Sequence, residues 1–158
     1  MNIKTKITAA AITCIAIIIS CSRPGEGVET SGTVATTTTA SGESSDPKGI
    51  GKYKNVELTH PLDESMVATG KNVYEVKCAS CHKMTDEKLV GPGWAGVTDR
   101  RTPEWIMNFV SNTEEMIEKD TAAKNMLEIC LVKMPNQALS ETDNRALLEF
   151  MRKNDGKK

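Results

Sequence analysis

Two cysteines and a histidine lie close together in residues 77–84, which read KCASCHKM. Cys78 and Cys81 are separated by two small residues, and His82 follows directly. Cysteine and histidine are ligands for structural zinc, a C-x-x-C pair can be a redox dithiol, and C-x-x-C-H is the attachment motif of c-type haem. The motif alone leaves these three chemistries open, and the rest of the chain must discriminate between them.

The wider sequence disfavours a zinc site and a redox dithiol. A structural zinc site normally needs four protein ligands, and no second ligand pair follows the motif. His60 and Cys130 have no ligand spacing, and Cys130 is interpreted as a small buried apolar residue. A thioredoxin-like dithiol belongs to a βαβ frame, whereas this chain has no convincing strand pattern. Haem attachment fits best, because two thiols can form thioethers with the vinyl groups and the adjacent histidine can bind the iron.

The first twenty residues predict an export signal. Lys4 and Lys6 precede an apolar run over residues 7–19, which is too short for a comfortable membrane span. Residues 18–21 read IISC and resemble the lipobox of bacterial lipoproteins. The resemblance implies removal of residues 1–20, acylation of Cys21 and anchoring of the exported protein on the periplasmic side of a membrane. Cleavage at another position, with Cys21 incidental, is the alternative.

Residues 21–57 are predicted to form a disordered linker. This stretch is rich in glycine, serine and threonine and has few large apolar side chains. It therefore cannot bury enough surface to offset the entropy lost on ordering. The chain shows no basic stripe that would indicate binding to nucleic acid, and Arg100 and Arg101, with Lys88, are interpreted as part of a solvated loop.

Residues 58–158 are predicted to form one small all-α domain. Helices are expected over 63–77, 103–112, 121–132 and about 141–153, and a glycine-rich loop over 89–100. The expected N-caps are Thr102, followed by a proline at the first helical position, then Asp120 and Ser140. A domain of this size without disulfides gains stability from a cofactor that fills its centre.

From residue 63 to residue 154 the chain resembles class I monohaem cytochrome c of the lipoprotein type. Gly70 precedes Tyr74 by four residues on the first helix, and Leu147 precedes Phe150 by three on the last, as in that family. The family's two helices cross where the glycine permits close backbone approach. The resemblance implies a small cytochrome c fold with helices packed around one covalent haem.

The glycine-rich loop carries a second part of this resemblance. Its segment G-P-G-W-A-G over 91–96 resembles the family's G-P-x-L-x-G loop, with Trp94 in place of the usual leucine. In the family the proline carbonyl accepts a hydrogen bond from the proximal histidine and fixes its orientation. The implied haem-site residues are Cys78 and Cys81 for covalent attachment, His82 for the iron, and Tyr74, Pro92 and Trp94 for the pocket.

Met134 is the predicted distal iron ligand. It precedes Pro135 in a loop just before the last helix, as in the family's distal-ligand loop. Met84 follows His82 too closely to reach the other face of a haem. The remaining methionines other than the initiator lie in helical patterns more typical of core packing: Met66, Met107, Met116, Met126 and Met151. Ligation by His60, or an open or water-bound iron, are the alternatives.

The expected function is single-electron transfer, because His/Met ligation leaves no open position on the iron. A haem enzyme or sensor with an open distal site and a structural lipoprotein without haem are the alternatives. Residues 96–109 and 130–140 resemble lipoprotein cytochromes that accompany nitrous-oxide reductase. This implies that reductase as partner, with a haem–copper terminal oxidase as the rival. We expect a monomer that is not an enzyme.

Overall fold

The computed structural model describes residues 46–158, and this part of the chain is helical without a strand. The helices are α1 (Glu64–Lys77), α2 (Val97–Arg100), α3 (Pro103–Ser111), α4 (Thr113–Lys119), α5 (Thr121–Cys130) and α6 (Glu141–Asn154). The predicted all-α fold is confirmed. The predicted signal peptide, Cys21 and most of the predicted linker lie outside the described residues.

Among the helices of residues 46–158, none is both long and apolar enough to span a membrane.

Side-chain caps set the starts of the long helices. The Thr102 hydroxyl accepts from the Trp105 N–H at 3.2 Å, Asp120 accepts from the Ala123 N–H at 2.8 Å, and Ser140 accepts from the Asp143 N–H at 3.0 Å. Each such bond satisfies a backbone donor that the first turn leaves free. The three predicted N-caps are therefore confirmed, whereas α2 begins within the segment expected to be a glycine-rich loop and α4 lies between two predicted helices, in a stretch without a prediction.

The third predicted helix ends two residues earlier than expected. It was predicted to reach Val132, but α5 ends at Cys130, and Leu131 follows with a left-handed backbone at φ 61°. The Leu131 N–H bonds to the Leu127 carbonyl at 2.8 Å, so the reversal still satisfies a terminal carbonyl of the helix. The chain then runs without helix through Met134 to the start of α6.

Helices α1 and α6 approach each other most closely at Gly70. A Cβ atom at this position would lie 2.1 Å from the carbonyl oxygen of Ala146, far inside van der Waals contact. One turn further along α1, the ring of Tyr74 lies against the ring of Phe150, with centroids 5.6 Å apart. The glycine is therefore required by the contact between the two helices, as the resemblance implied.

The apolar core lies between α3, α4 and α6. Its largest buried side chains include Trp105, Met116, Leu147 and Leu148. Asn144, which is also buried, donates to the Met107 carbonyl at 2.9 Å and ties α6 to α3. These contacts hold α3, α4 and α6 together as the packed side of the domain.

The predicted linker is wrong at its C-terminal end, because residues 46–57 pack against α3 as an N-terminal strap. Tyr53 is buried, and its N–H donates to the Asn108 Oδ1 at 2.9 Å. The Asn108 amide in turn donates to the carbonyls of Lys48 and Tyr53, each at 2.9 Å. Glu104 accepts from the Val56 N–H at 3.1 Å. Composition could not reveal this, because side chains distant in sequence satisfy the strap's backbone groups.

Glu149 on α6 is fully buried and paired with two arginines. Its carboxylate accepts from Arg145 at 2.6 Å, from Arg152 at 2.8 Å and from the Thr59 hydroxyl at 2.8 Å. Burial by itself raises the pKa of Glu149, but the hydrogen bonds from Arg145, Thr59 and Arg152 outweigh it and lower the pKa overall. The carboxylate is therefore charged at neutral pH and holds α6 to the segment before α1.

Candidate functional site

The cysteine-histidine segment forms a tight turn at the end of α1. The Cys78 N–H closes the helix on the Tyr74 carbonyl at 2.9 Å, and the N–H groups of Cys81 and His82 both bond to the Cys78 carbonyl, at 3.0 and 2.9 Å. Cys78 is buried, and desolvation raises the pKa of its thiol to about 11. The turn brings Cys81 and His82 to the wall of one cavity, while Cys78 stays inside the turn.

His82 is oriented by the backbone of the glycine-rich loop. Its Nδ1 lies 2.9 Å from the Pro92 carbonyl oxygen, which is the hydrogen bond that the resemblance implied. Because a carbonyl only accepts, Nδ1 carries the proton and Nε2 keeps a lone pair for a metal. Burial lowers the pKa of His82, although the bond to Pro92 acts in the opposite direction. The imidazole is therefore neutral at pH 7.

Gly91 makes this arrangement possible at the loop. A Cβ atom there would lie 2.3 Å from the His82 Cε1, so no larger residue fits while the imidazole keeps its place. The backbone N–H groups of Val90 and of Gly91 itself both donate to the Cys81 carbonyl, at 3.2 and 2.9 Å. The loop is thus tied to the cysteine turn by its own backbone.

Two aromatic side chains support the turn from the other side. Trp94 is buried, with its ring centroid 5.3 Å from that of His82 and 5.2 Å from that of Tyr74. The Tyr74 hydroxyl donates to the His82 carbonyl at 2.8 Å. Trp94 therefore contacts the predicted iron ligand directly, and Tyr74 holds its backbone.

A cavity of about 340 Å³ brings most of the predicted site residues together. Cys81, His82, Pro92, Trp94 and Met134 all line it. The walls contributed by α3, α5 and α6 are largely apolar: Trp105, Ile106, Phe109, Val110, Met126, Leu127 and Met151. The structure thus places an imidazole and a thioether, 52 residues apart in sequence, on the same apolar cavity.

His60 is separated from this site. Its Nδ1 lies 3.1 Å from the Lys158 carbonyl oxygen, and the residue lines a different, smaller cavity. The described residues also contain no group of three His, Cys, Asp or Glu side chains that could hold a metal ion. These observations argue against His60 as an iron ligand and against the zinc interpretation.

Arg100 and Arg101 were interpreted as part of a solvated loop; Arg100 is exposed as expected, but it ends α2, and Arg101 is half-buried. Both line the cavity, and the Arg101 guanidinium lies 4.5 Å from the ring centroid of Trp105. No pattern of residues indicated this, because the cavity wall is formed by distant helices. A haem combines an apolar macrocycle with two carboxylates, and guanidinium groups pair well with carboxylates. The lining therefore fits haem in both its apolar and its charged parts.

Cys130 was expected to be a buried apolar residue, but it is half-buried and lines the cavity. Met126, one helical turn earlier, lines it as well. Helix α5 packs mainly on α4, so the face that carries Cys130 and Met126 is turned towards the cavity. Periodicity identified an apolar face of the helix but not what that face contacts.

Comparisons with known proteins agree with this geometry. The model of the cytochrome c family matches residues 67–155. The structure of cytochrome c from Rhodothermus marinus is 32% identical, covers 70% of this chain and 98% of that chain, and has a TM-score of 0.67. An engineered cytochrome c from the same organism, bound to a carbene intermediate, is 31% identical, covers 70% and 99%, and has a TM-score of 0.64. The comparison with curated proteins gives no match. The chain therefore belongs to the cytochrome c family, and its cofactor is a covalently bound c-type haem.

Proposed function

We propose that this cytochrome c is a membrane-tethered electron carrier in which His82 and Met134 ligate the haem iron. Cys78 and Cys81 are the proposed attachment sites for the haem. The observation that carries the proposal is that His82 and Met134 line the same apolar cavity, although they lie in separate loops. An imidazole and a thioether as the two ligands are typical of electron-transfer cytochromes and raise the reduction potential.

Each neighbour of His82 has a definable task in this proposal. Pro92 holds the proton on Nδ1, so that Nε2 is available for the metal. Gly91 lies close to the imidazole at Cε1 and Trp94 packs on its ring, so both restrict its rotation. When bound, the haem supplies one-electron exchange between the ferric and ferrous states. The largely apolar lining of the cavity keeps the rearrangement that accompanies this exchange small.

We further propose that Arg100 and Arg101 neutralise the haem propionates. They are cationic groups in the lining, together with Lys133, and no carboxylate side chain lines the described cavity. A charged carboxylate in a largely apolar cavity requires a cationic or hydrogen-bonding partner. The stacking of Arg101 on Trp105 would limit the entropy lost when the guanidinium pairs with a carboxylate.

A haem enzyme or sensor with an open distal site is the second candidate. It is favoured by the engineered relative that is described as bound to a carbene intermediate. General acid–base catalysis on a distal face needs a titratable group there. Apart from His82, the titratable groups that line the described cavity are only cysteines, arginines and a lysine. This composition supports a carrier, and we propose that the protein is not an enzyme.

The tether is proposed to be shorter than composition predicted. With Cys21 as the lipidated residue and the strap packed from residue 46, about 24 residues would connect lipid and domain. Such a stretch spans at most about 80 Å. The protein would then act on the periplasmic side in respiration, with nitrous-oxide reductase or a haem–copper terminal oxidase as the electron acceptor.

Replacing Met134 tests the central assignment. Met134→Ala should abolish the weak sulfur-to-iron absorption band of the ferric protein, allow carbon monoxide to bind the reduced protein, and lower the reduction potential. Met126→Ala is the matched control, because Met126 lines the same cavity but should leave the band intact. If the band persists in Met134→Ala and disappears in Met126→Ala, the ligand assignment is wrong.

A further inference from the structure

Five large apolar side chains are exposed next to the haem cavity. They belong to two segments, one in the glycine-rich loop and one at the end of α5, and we call them the apolar rim: Leu89, Val90, Ile129, Leu131 and Val132. Ile129 is 70% exposed and Leu131 is 84% exposed. Single exposed apolar residues are ordinary, but a cluster of this kind marks an interaction surface.

The apolar rim is continuous with the cavity. Val90 and Val132 line the cavity themselves, and the other three residues are within three positions of them in the chain. The two segments are joined where the Lys88 ammonium donates to the Ile129 carbonyl at 3.0 Å. A protein that covered the rim would therefore lie directly over the mouth of the haem site.

Leu131 is unfavourable in the isolated protein in two respects. Its backbone is left-handed at φ 61°, a conformation that usually selects glycine or asparagine after a helix. Its side chain also leaves 84% of its surface in water. Within the described residues Leu131 is not part of the apolar core, and a backbone outlier with an exposed apolar side chain points to a functional constraint at this position.

The charges beside the apolar rim are largely balanced within the protein. Lys83 pairs with Glu87 at 2.8 Å, and Lys133 pairs with Glu114 at 3.4 Å. Lys88 donates to a backbone carbonyl and keeps its charge, but the same two segments also carry the exposed acidic residues Asp86 and Glu128. A partner approaching this face would meet little net charge, so long-range attraction would contribute little to its association.

We propose that the apolar rim is the docking face for a redox protein whose own docking face is apolar and nearly uncharged around its cofactor. This rests on the proposed electron-carrier function and names the chemistry of the partner. Small, transient interfaces are usual for electron-transfer complexes. An apolar contact without ion pairs lets the partners separate quickly, and its strength changes little with salt.

The rate of electron transfer to a defined acceptor tests the proposal. The Cys21→Ala holoprotein, reduced beforehand, is mixed with a blue-copper protein that has an uncharged apolar face around its exposed copper ligand. One electron passes from the ferrous protein to Cu²⁺, which becomes Cu⁺. We expect a second-order rate constant that changes less than about twofold between low and high salt. Leu131→Ser and Ile129→Ser should each lower it by about tenfold.

Two controls separate docking from electron transfer itself. Val76→Ser removes an apolar side chain that is 82% exposed on α1 but does not line the cavity, and it should leave the rate unchanged. Oxidation by ferricyanide, which needs no apolar contact, should be the same in all variants. If ferricyanide fails to oxidise the unsubstituted protein, the electron-carrier function is wrong. If ferricyanide reacts and the rim variants do not slow the copper protein, only the docking face is wrong.

Two other occupants of the apolar rim have distinct outcomes. Binding of the Cys21→Ala holoprotein to phosphatidylcholine vesicles that is lost in Leu131→Ser would assign the rim to the membrane and overturn the proposal. A dimer in sedimentation that dissociates in Leu131→Ser would assign it to a second copy of the chain, with the same consequence. A steep fall of the copper-protein rate with salt would also contradict it, since that result indicates docking by charge.

Discussion

Gly70→Ala should destabilise the protein, although alanine is the better helix former. The added Cβ would lie 2.1 Å from the Ala146 carbonyl oxygen and 2.8 Å from the Phe150 Cβ. An ordinary contact between carbon and oxygen is about 3.3 Å, so α1 and α6 would have to separate by about 1 Å. The atom met first belongs to the backbone and cannot rotate away, in contrast to the end of a flexible side chain.

Two opposing effects determine how much the free energy of unfolding falls in Gly70→Ala. Overpacking costs up to about 3 kcal/mol, and the upper end applies here because the helix as a whole must move. The higher helix propensity of alanine stabilises the folded state by about 1 kcal/mol relative to glycine. The expected net loss is about 2 kcal/mol, which lowers the guanidinium midpoint by about 0.7 M for a slope of about 3 kcal/mol per M.

Guanidinium denaturation of the holoprotein, followed by far-ultraviolet circular dichroism, measures this loss. Asn72→Ala is the matched control, because Asn72 is exposed on the same helix and its replacement should be neutral or slightly stabilising. The absorption spectrum of the haem should be unchanged in both variants. A Gly70→Ala protein as stable as the unsubstituted one would show that the contact between α1 and α6 is not as close as described.

Three further changes test other parts of the structure. Asn108→Ala removes three hydrogen bonds to the N-terminal strap and should lower stability by about 3 kcal/mol; limited proteolysis should then cut within 46–57, and an unchanged cleavage pattern would contradict the packing. Tyr74→Phe removes the bond to the His82 carbonyl and should cost about 1 kcal/mol in denaturation, whereas an equal midpoint would show that bond to be unimportant. Because the pKa of Glu149 is lowered in the folded state, its contribution is present above the ordinary value of 4.5 and is lost as pH falls through the folded pKa. Glu149→Gln should therefore lower the free energy of unfolding by about 3 kcal/mol at pH 7 and weaken its dependence on pH in the acid range. A pH dependence as steep as that of the unsubstituted protein would refute the role of this carboxylate.

Local chemistry in the sequence was sufficient for the helix starts and for the haem motif. Thr102, Asp120 and Ser140 act as N-caps because a cap bond joins residues only three positions apart. The cysteine turn is equally local, since the Cys78 carbonyl accepts from the N–H groups of Cys81 and His82, which lie three and four positions later. Interactions over such short separations depend on residue type and spacing, and both can be read directly from the chain.

The packing of the strap and the charged lining of the cavity could not be read in this way. Residues 46–57 have the composition of a linker, yet they are held by Asn108, more than fifty positions away. Arg100 and Arg101 lie at the end of a glycine-rich segment with no periodic pattern, and they line the cavity only because α3 is packed beside them. In each case the partner lies far along the chain, where spacing carries no information.

The sequence by itself determined that this protein is helical and that it carries the C-x-x-C-H motif of c-type haem attachment at Cys78, Cys81 and His82, because these properties belong to short stretches of chain. Only the tertiary structure decided that Met126, Met134 and Met151 share a cavity with His82 and which exposed side chains surround its mouth. Met134 and Met126 differ little as residues, and both line the cavity. The helix carrying Met126 ends at Cys130, and beyond it the non-helical chain carries Leu131 and Met134 past the cavity. That path is set by long-range packing, because the free energy that fixes it comes from surfaces that meet only in the folded molecule.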